Sequence, residues 1–330
     1  MYNGILFGVI IVALFFNFIN GFHDTANAIA TSVYTKALTA GKAILLAAVM
    51  NFIGTLVSEK VAMTISNGLI NISLEQYVIM AALLGATCWN LITWWLGIPS
   101  SSSHALIGSL VGATMVYTSG TQNILWSGVV YKVVIPLFTS PLLGLVLGFL
   151  GMRLMYRMFV KWSQSHVNKV FLKMQIVSSA FVAFSHGNND AQKTMGIMTL
   201  ALISGGVLDP GSGVPMWVKI VCAVTMALGT SIGGWRIMKT MGGSVTKLEP
   251  SSGFVAQTAS AIVIEGATLF GIPVSTTQVI TTSIMGVGSA KRVSSVKWGI
   301  AQNIMIAWLL TLPVSIVFGG LFSWLIGAIV

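Results

Sequence analysis

Residues 17–31 read Asn17-Phe18-Ile19-Asn20-Gly21-Phe22-His23-Asp24-Thr25-Ala26-Asn27-Ala28-Ile29-Ala30-Thr31. They follow an apolar run, residues 4–19, that is long enough to enter a membrane. A carboxylate, an imidazole, amides and a hydroxyl then arrive within about two helical turns. A charge at bilayer depth costs roughly 2.5–3.5 kcal/mol for a central Asp on insertion scales, so a carboxylate there marks a functional site. The event recurs. An apolar stretch over 172–184 runs into Ser185-His186-Gly187-Asn188-Asn189-Asp190-Ala191-Gln192-Lys193-Thr194. Asp24 and Asp190 stand 166 positions apart in a chain of 330 residues, so each half carries one cluster.

Composition settles the class. The chain is 55% hydrophobic and 7% charged, against about 25% charged in ordinary soluble domains. Backbone groups in lipid must pair internally, which leaves helices or a closed barrel. The apolar runs are long and do not alternate, so the expectation is an all-α polytopic membrane protein. The net charge of +10 reads as the positive-inside signal and not as a nucleic-acid surface. Cys88 and Cys222 lie in apolar runs and read as small buried hydrophobes, with no disulfide or thiol metal site. Residues 4–19 lack a basic n-region and read as a retained span.

Turn and charge signals divide the chain into segments near 4–35, 43–57, 76–96, 104–117 and 126–157, then 171–206, 216–233, 254–270 and 298–329. Residues 61–75 read as a short or interfacial helix. The segment over 126–157 holds Pro136 and Pro141 and is expected to be kinked. The basic stretch Arg153, Arg157, Lys161, Lys169 and Lys173 separates residues 1–160 from 161–330, the two expected repeats. Landmarks repeat in order. Gly97-Ile98-Pro99 matches Gly271-Ile272-Pro273, and Trp126 and Pro141 match Trp298 and Pro313, all at 172–174 positions. With the N-terminus outside and an odd number of crossings per half, 13 of the 17 basic residues fall inside. That arrangement makes the repeats inverted, with both termini outside and the central basic loop inside. Inverted repeats with broken helices meeting at midplane describe a secondary transporter.

Two pairs of motifs carry the chemistry. Helix breaks are expected at Asn20-Gly21 and Gly187-Asn188, where freed N–H groups suit an anion. Asp24 and Asp190 suit a cation or proton, and Thr25, Asn27, Asn189 and Gln192 can serve either. One such Asn or Thr in a span is commonly helix–helix glue; two Asp-centred clusters in matching places argue for a site. The second pair is Pro99-Ser100-Ser101-Ser102-Ser103 and Pro273-Val274-Ser275-Thr276-Thr277. Pro and hydroxyl residues at a helix start are ordinary caps, and they also make an oxyanion cradle. These turns are expected to be re-entrant or hairpin turns. His23, His104 and His186 adjoin the motifs and are candidate proton carriers or hydrogen-bonded interior residues. Lys193, three residues after Asp190, can pair with it on one helix face.

The segments Asn20-Gly21-Phe22-His23-Asp24-Thr25-Ala26-Asn27-Ala28 and Asn189-Asp190-Ala191-Gln192-Lys193 resemble the paired signatures of the inorganic phosphate transporter (Pit) family. The two Pro-Ser/Thr turns resemble that family's second pair, and Trp89-Asn90-Leu91-Ile92-Thr93-Trp94 resembles its bacterial low-affinity branch. The resemblance implies a symporter of the cytoplasmic membrane, commonly a homodimer in lipid, that imports inorganic phosphate and is not an enzyme. It implies substrate contacts from Thr25, Ser101, Ser102, Ser103, Gln192, Ser275, Thr276 and Thr277. It implies cation or proton coupling through His23, Asp24, Asn27, Asn189, Asp190 and Lys193, with Asp24 and Asp190 as metal ligands. No cofactor is expected. The coupling cation is H+, with Na+ as the alternative, and a divalent metal can travel as a neutral phosphate complex. The sequence departs from the pattern at His23 and Lys193, where the wider family tends to have Asn. Gln257 stands where sodium-coupled members tend to have Glu, which favours protons. Sulfate transport by the same fold and a passive anion channel are the rival readings.

Overall fold

The computed structural model describes residues 2–232, 237–238 and 245–329, without the side chains of 2–3 and 25–27. Thr25 and Asn27 among the expected site residues, and the expected inside charges Arg236 and Lys239, therefore lie outside what is described. The described chain is helical: α1 (Tyr2–Tyr34), α2 (Ala40–Thr55), α3 (Lys60–Asn67), α4 (Gln76–Leu96), α5 (Ser102–Tyr117), α6 (Trp126–Val129), α7 (Ile135–Met158), α8 (Gln164–Ser204), α9 (Met216–Ile232), α10 (Pro250–Leu269), α11 (Thr276–Lys291) and α12 (Trp298–Gly327). Among the described residues, five stretches are long and apolar enough to cross a membrane, and a sixth arises if α2 and α3, bent by 64°, count as one span. This is a multi-pass membrane protein. Its outward side chains are apolar, Leu45, Phe138, Val317 and Trp324 among them, while Asn20, Asp24, Asp190 and Lys193 are buried. Lipid requires that distribution.

Within the segment 126–157, where a kink is expected, residues Val130–Val134 form a π-helical turn between α6 and α7, one residue ahead of Pro136. A π-turn is a recognised way to absorb a helix defect.

The breaks expected at Asn20-Gly21 and Gly187-Asn188 are not there. Helices α1 and α8 run through both positions without interruption. Close packing supplies the reason for the glycines. A Cβ on Gly21 would overlap the Met226 carbonyl of α9, and one on Gly229 would overlap the Phe18 carbonyl of α1. In the same way Gly187 lies on the Asn51 carbonyl of α2, and Gly54 on the Phe184 carbonyl of α8. Lipid tails give no hydrophobic drive between helices, so small residues that bring backbones together do the work. The pairs α5–α12 and α7–α11 are joined likewise, through Gly112 on the Ile316 carbonyl and Gly286 on the Leu145 carbonyl.

Two apolar cores result. One takes residues 6–16 of α1 and 191–202 of α8, with α3, α4, α5 and α9. The other takes residues 28–30 of α1 and 167–183 of α8, with α2, α10 and α11. The first part of α1 thus shares a core with the last part of α8, so the two helices run antiparallel. The polar stretches between, 17–24 and 185–190, lie in the layer separating the cores.

Candidate functional site

Two matching turns deliver helix N-termini to that layer. Helix α4 ends at Gly97 with φ 68°, and α10 ends just before Gly271 with φ 66°. Left-handed φ at a helix end suits glycine. The N–H of Ile98 bonds the Thr93 carbonyl and that of Ile272 the Ala267 carbonyl, each at 2.9 Å. Pro99 and Pro273 bias the residues before them, Ile98 and Ile272, to extended backbone. Ser101 then caps α5 by accepting from the His104 N–H at 3.2 Å, and Ser275 caps α11 by accepting from the Gln278 N–H at 3.3 Å.

The following hydroxyls meet the two carboxylates. Ser102 donates to Asp24 Oδ2 at 2.8 Å, and Thr276 donates to Asp190 Oδ2 at 3.1 Å. Thr277 crosses over and donates to Asp24 Oδ1 at 3.1 Å. Ser103 donates to the Val274 carbonyl at 2.9 Å, which ties the two turns together. His23 Nδ1 lies 2.9 Å from Asp24 Oδ1, and its Nε2 lies 3.2 Å from the Thr93 hydroxyl. His186 Nε2 lies 3.3 Å from Asp190 Oδ2, and its Nδ1 lies 3.0 Å from Asn51 Oδ1. Lys193 Nζ donates to Asp190 Oδ1 at 2.5 Å, the pairing that the spacing predicts. Asp24, His186 and Asp190 each offer a ligand atom within 4.8 Å of the others. Two carboxylate oxygens and one imidazole nitrogen form a donor set suited to a divalent ion.

Because α1 and α8 do not break, the free N–H groups near the carboxylates come from the starts of α5 and α11, not from mid-helix gaps. Of the remaining expected residues that are described, Gln192 and Asn189 bond to other partners than the two carboxylates. Gln192 accepts from the N–H groups of Val61 and Ala62 at 2.8 and 3.3 Å, so it caps the first turn of α3, and it also donates to the Asn188 carbonyl. Asn189 donates to the Thr268 hydroxyl at 2.8 Å and to the Ile272 carbonyl at 3.2 Å, which anchors the second turn. Glu265 accepts from Asn188 at 3.1 Å.

Sequence reading missed Thr93 and Asn51, which hold the two histidines. Their signal was a polar residue inside an apolar span. Among the described residues, both side-chain polar atoms of Asn20, Asn90 and Gln278, and Nδ1 of His104, are buried without a partner. Asn20 is one turn before Asp24, and Gln278 is next to Thr277. Buried polar atoms are ordinarily satisfied, so these groups suit a polar ligand.

A lipid-facing helical bundle around a buried two-carboxylate centre is an architecture that suits a membrane transporter. The chain belongs to the Phosphate transporter family, whose model matches residues 20–319. It is 47% identical over 324 residues to a probable low-affinity inorganic phosphate transporter of Bacillus subtilis, covering 97% of each chain. It is 49% identical over 311 residues to the protein of that name in Rhizobium meliloti, covering 94% of this chain and 92% of the relative. Among solved structures, it is similar to one described as "The sodium-dependent phosphate transporter", with a TM-score of 0.88 at 25% identity, covering 99% of this chain and 100% of the other.

Proposed function

We propose that the protein imports inorganic phosphate across the cytoplasmic membrane as a proton-coupled symporter working by alternating access. One observation carries the reading: the N-termini of α5 and α11 converge on Asp24 and Asp190 in a buried layer between two apolar cores. Phosphate sits between those N-termini, where backbone N–H groups donate to its oxygens, and the hydroxyls of Ser102, Ser103, Thr276 and Thr277 turn from the acceptors they hold without substrate to donate to it. Ser101 and Ser275 contribute as the caps that shape the first turns, Gln192 supports the site from behind by capping α3, and Thr25 is a further donor to the substrate. Asp24 and Asp190 supply the negative charge that balances the coupling cation, His23, Asn27 and Asn189 complete its polar surround, and Lys193 sets the charge left on Asp190. A divalent metal entering with phosphate is part of the cargo, and the Asp24–His186–Asp190 group supports its passage.

Residues 1–160 and 161–330 act as inverted repeats, with the two Pro-Ser/Thr turns re-entrant from opposite sides. The antiparallel α1 and α8, and the equivalent contacts of Gly21 and Gly187, support this. The distribution of basic residues supports termini outside and the central loop inside. The Pit-family resemblance supports a homodimer.

Proton coupling is supported at Gln257. Its amide accepts from the Ser178 hydroxyl at 2.8 Å and donates to the Ser32 hydroxyl at 2.8 Å, a neutral network without a carboxylate. Sodium coupling is the second reading, favoured by the similarity to a sodium-dependent phosphate transporter. Uptake of labelled phosphate into proteoliposomes, under separate proton and sodium gradients and with or without magnesium, decides between them. Proton-driven accumulation that collapses with an uncoupler supports the proposal. Uptake driven by sodium alone overturns the coupling ion, equilibration without accumulation makes the protein a channel, and inhibition by sulfate at every pH points to sulfate as substrate.

A further inference from the structure

Lys193 is completely buried in the polar layer, its side chain 1% exposed. A lysine ammonium is almost never buried there without compensation, because removing it from water costs far more than packing returns. Its compensation is unusual in kind. Nζ contacts Asp190 Oδ1 at 2.5 Å and the Val274 carbonyl at 3.3 Å. Val274 lies in the extended turn between α10 and α11, so its carbonyl is free of any helix ladder. A carboxylate oxygen and an unwound backbone carbonyl are the ligands that transporters offer to a small monovalent cation. The other oxygen of Asp190 is occupied by Thr276 and faces His186.

We propose that Lys193 is a tethered cation: its ammonium fills the monovalent-cation position formed by Asp190 and Val274, so no free ion binds at that position. The chain therefore supplies internally one positive charge that an untethered design would take from solution. Lys193 is thus a specificity-determining residue that makes transport independent of sodium at this carboxylate. The consequence for transport rests on the phosphate-symport reading; the occupancy of the position does not.

The test uses the full-length protein and two readouts. Thermal stability in detergent is measured in sodium chloride against choline chloride at equal ionic strength, and phosphate uptake is measured with the same exchange. Wild-type protein and Asp24→Asn are expected to show no sodium-specific stabilisation. Lys193→Met opens the position beside Asp190 and is expected to gain saturable stabilisation by sodium, lost again in Lys193→Met/Asp190→Asn. Its residual uptake is expected to fall about tenfold or more when sodium is replaced, the effect of a single lost binding contact of roughly 1.4 kcal/mol. Lys193→Arg keeps the charge and is expected to stay sodium-independent. Where Lys193→Met does not fold, Lys193→Gln, which retains a donor toward Asp190, replaces it. Sodium-specific stabilisation of Asp24→Asn with Lys193 intact overturns the proposal, as does a folded neutral variant that ignores sodium. Stability results as expected with no phosphate uptake by wild-type protein would overturn the symport reading and leave this one standing.

Discussion

Thr277, in the first turn of α11, donates to Oδ1 of Asp24 across 253 positions of chain. The Asp24 carboxylate therefore takes one hydroxyl from each turn, Ser102 from the first half and Thr277 from the second. A movement that separates the halves must break one of these bonds. Asp24 is thus placed to sense whether the two helix N-termini are together, which ties the charge at the site to the closure that the proposed alternating access needs.

Thr277→Ala and Ser102→Ala each remove one hydrogen bond to a buried carboxylate. Such bonds contribute about 1.5–3 kcal/mol. Phosphate uptake in proteoliposomes should fall by roughly tenfold to a hundredfold for each, with little loss of folded protein by size-exclusion chromatography. Wild-type uptake in both would remove the hydroxyls from the site.

Asp24→Asn and Asp190→Asn should each abolish accumulation of phosphate against a gradient. Their stabilities should differ. Asp190→Asn leaves the Lys193 ammonium buried beside a neutral amide, and breaking a buried pair in this way costs about 3–5 kcal/mol. Its melting temperature in detergent should drop well below that of the wild type, and the double variant Asp190→Asn/Lys193→Met should recover part of the loss. Equal melting of the single and double variants would show the pair to be uncoupled.

Gln192→Ala should weaken the start of α3. The variant leaves the N–H groups of Val61 and Ala62 without the acceptor they now use, at about 1–3 kcal/mol for a buried unsatisfied donor. Limited proteolysis should open the 56–59 bend first. A loss of uptake with unchanged melting and unchanged proteolysis would instead put Gln192 on the substrate.

Gly187→Ala inserts a methyl group against the Asn51 carbonyl of α2. Overpacking of a tight interface costs about 1–3 kcal/mol. Gly4→Ala, where the same methyl meets open space, should leave melting unchanged. If both variants melt with the wild type, close approach of α2 and α8 does not stabilise the fold.

Much of this was legible in the chain alone. Composition and run length identify a helical membrane protein, because lipid leaves only helices or a closed barrel to pair a backbone and the apolar runs do not alternate. The positions of α4 and α12 follow from hydropathy and from the glycine and prolines that bound or interrupt them. Asp24 and Asp190 announce themselves as charge where charge is expensive. The helix starts at the two Pro-Ser/Thr turns were legible too, since Gly97, Gly271 and the capping serines are local chemistry that needs no distant partner.

What tertiary structure alone decided is which polar residue faces which. Asn20-Gly21 and Gly187-Asn188 read as helix breaks because Gly and Asn weaken a helix locally. The decisive term was instead the backbone of a helix distant in sequence, at Met226 for Gly21 and at Asn51 for Gly187, which only a glycine lets approach. Gln192 and Lys193 are adjacent in sequence, yet one caps α3 and the other holds Asp190, because consecutive helix residues point about 100° apart and meet different neighbours. Hydropathy records the depth of a residue in the membrane; its partner is set by helix rotation and crossing, which depend on contacts between segments that the order of the chain does not encode locally.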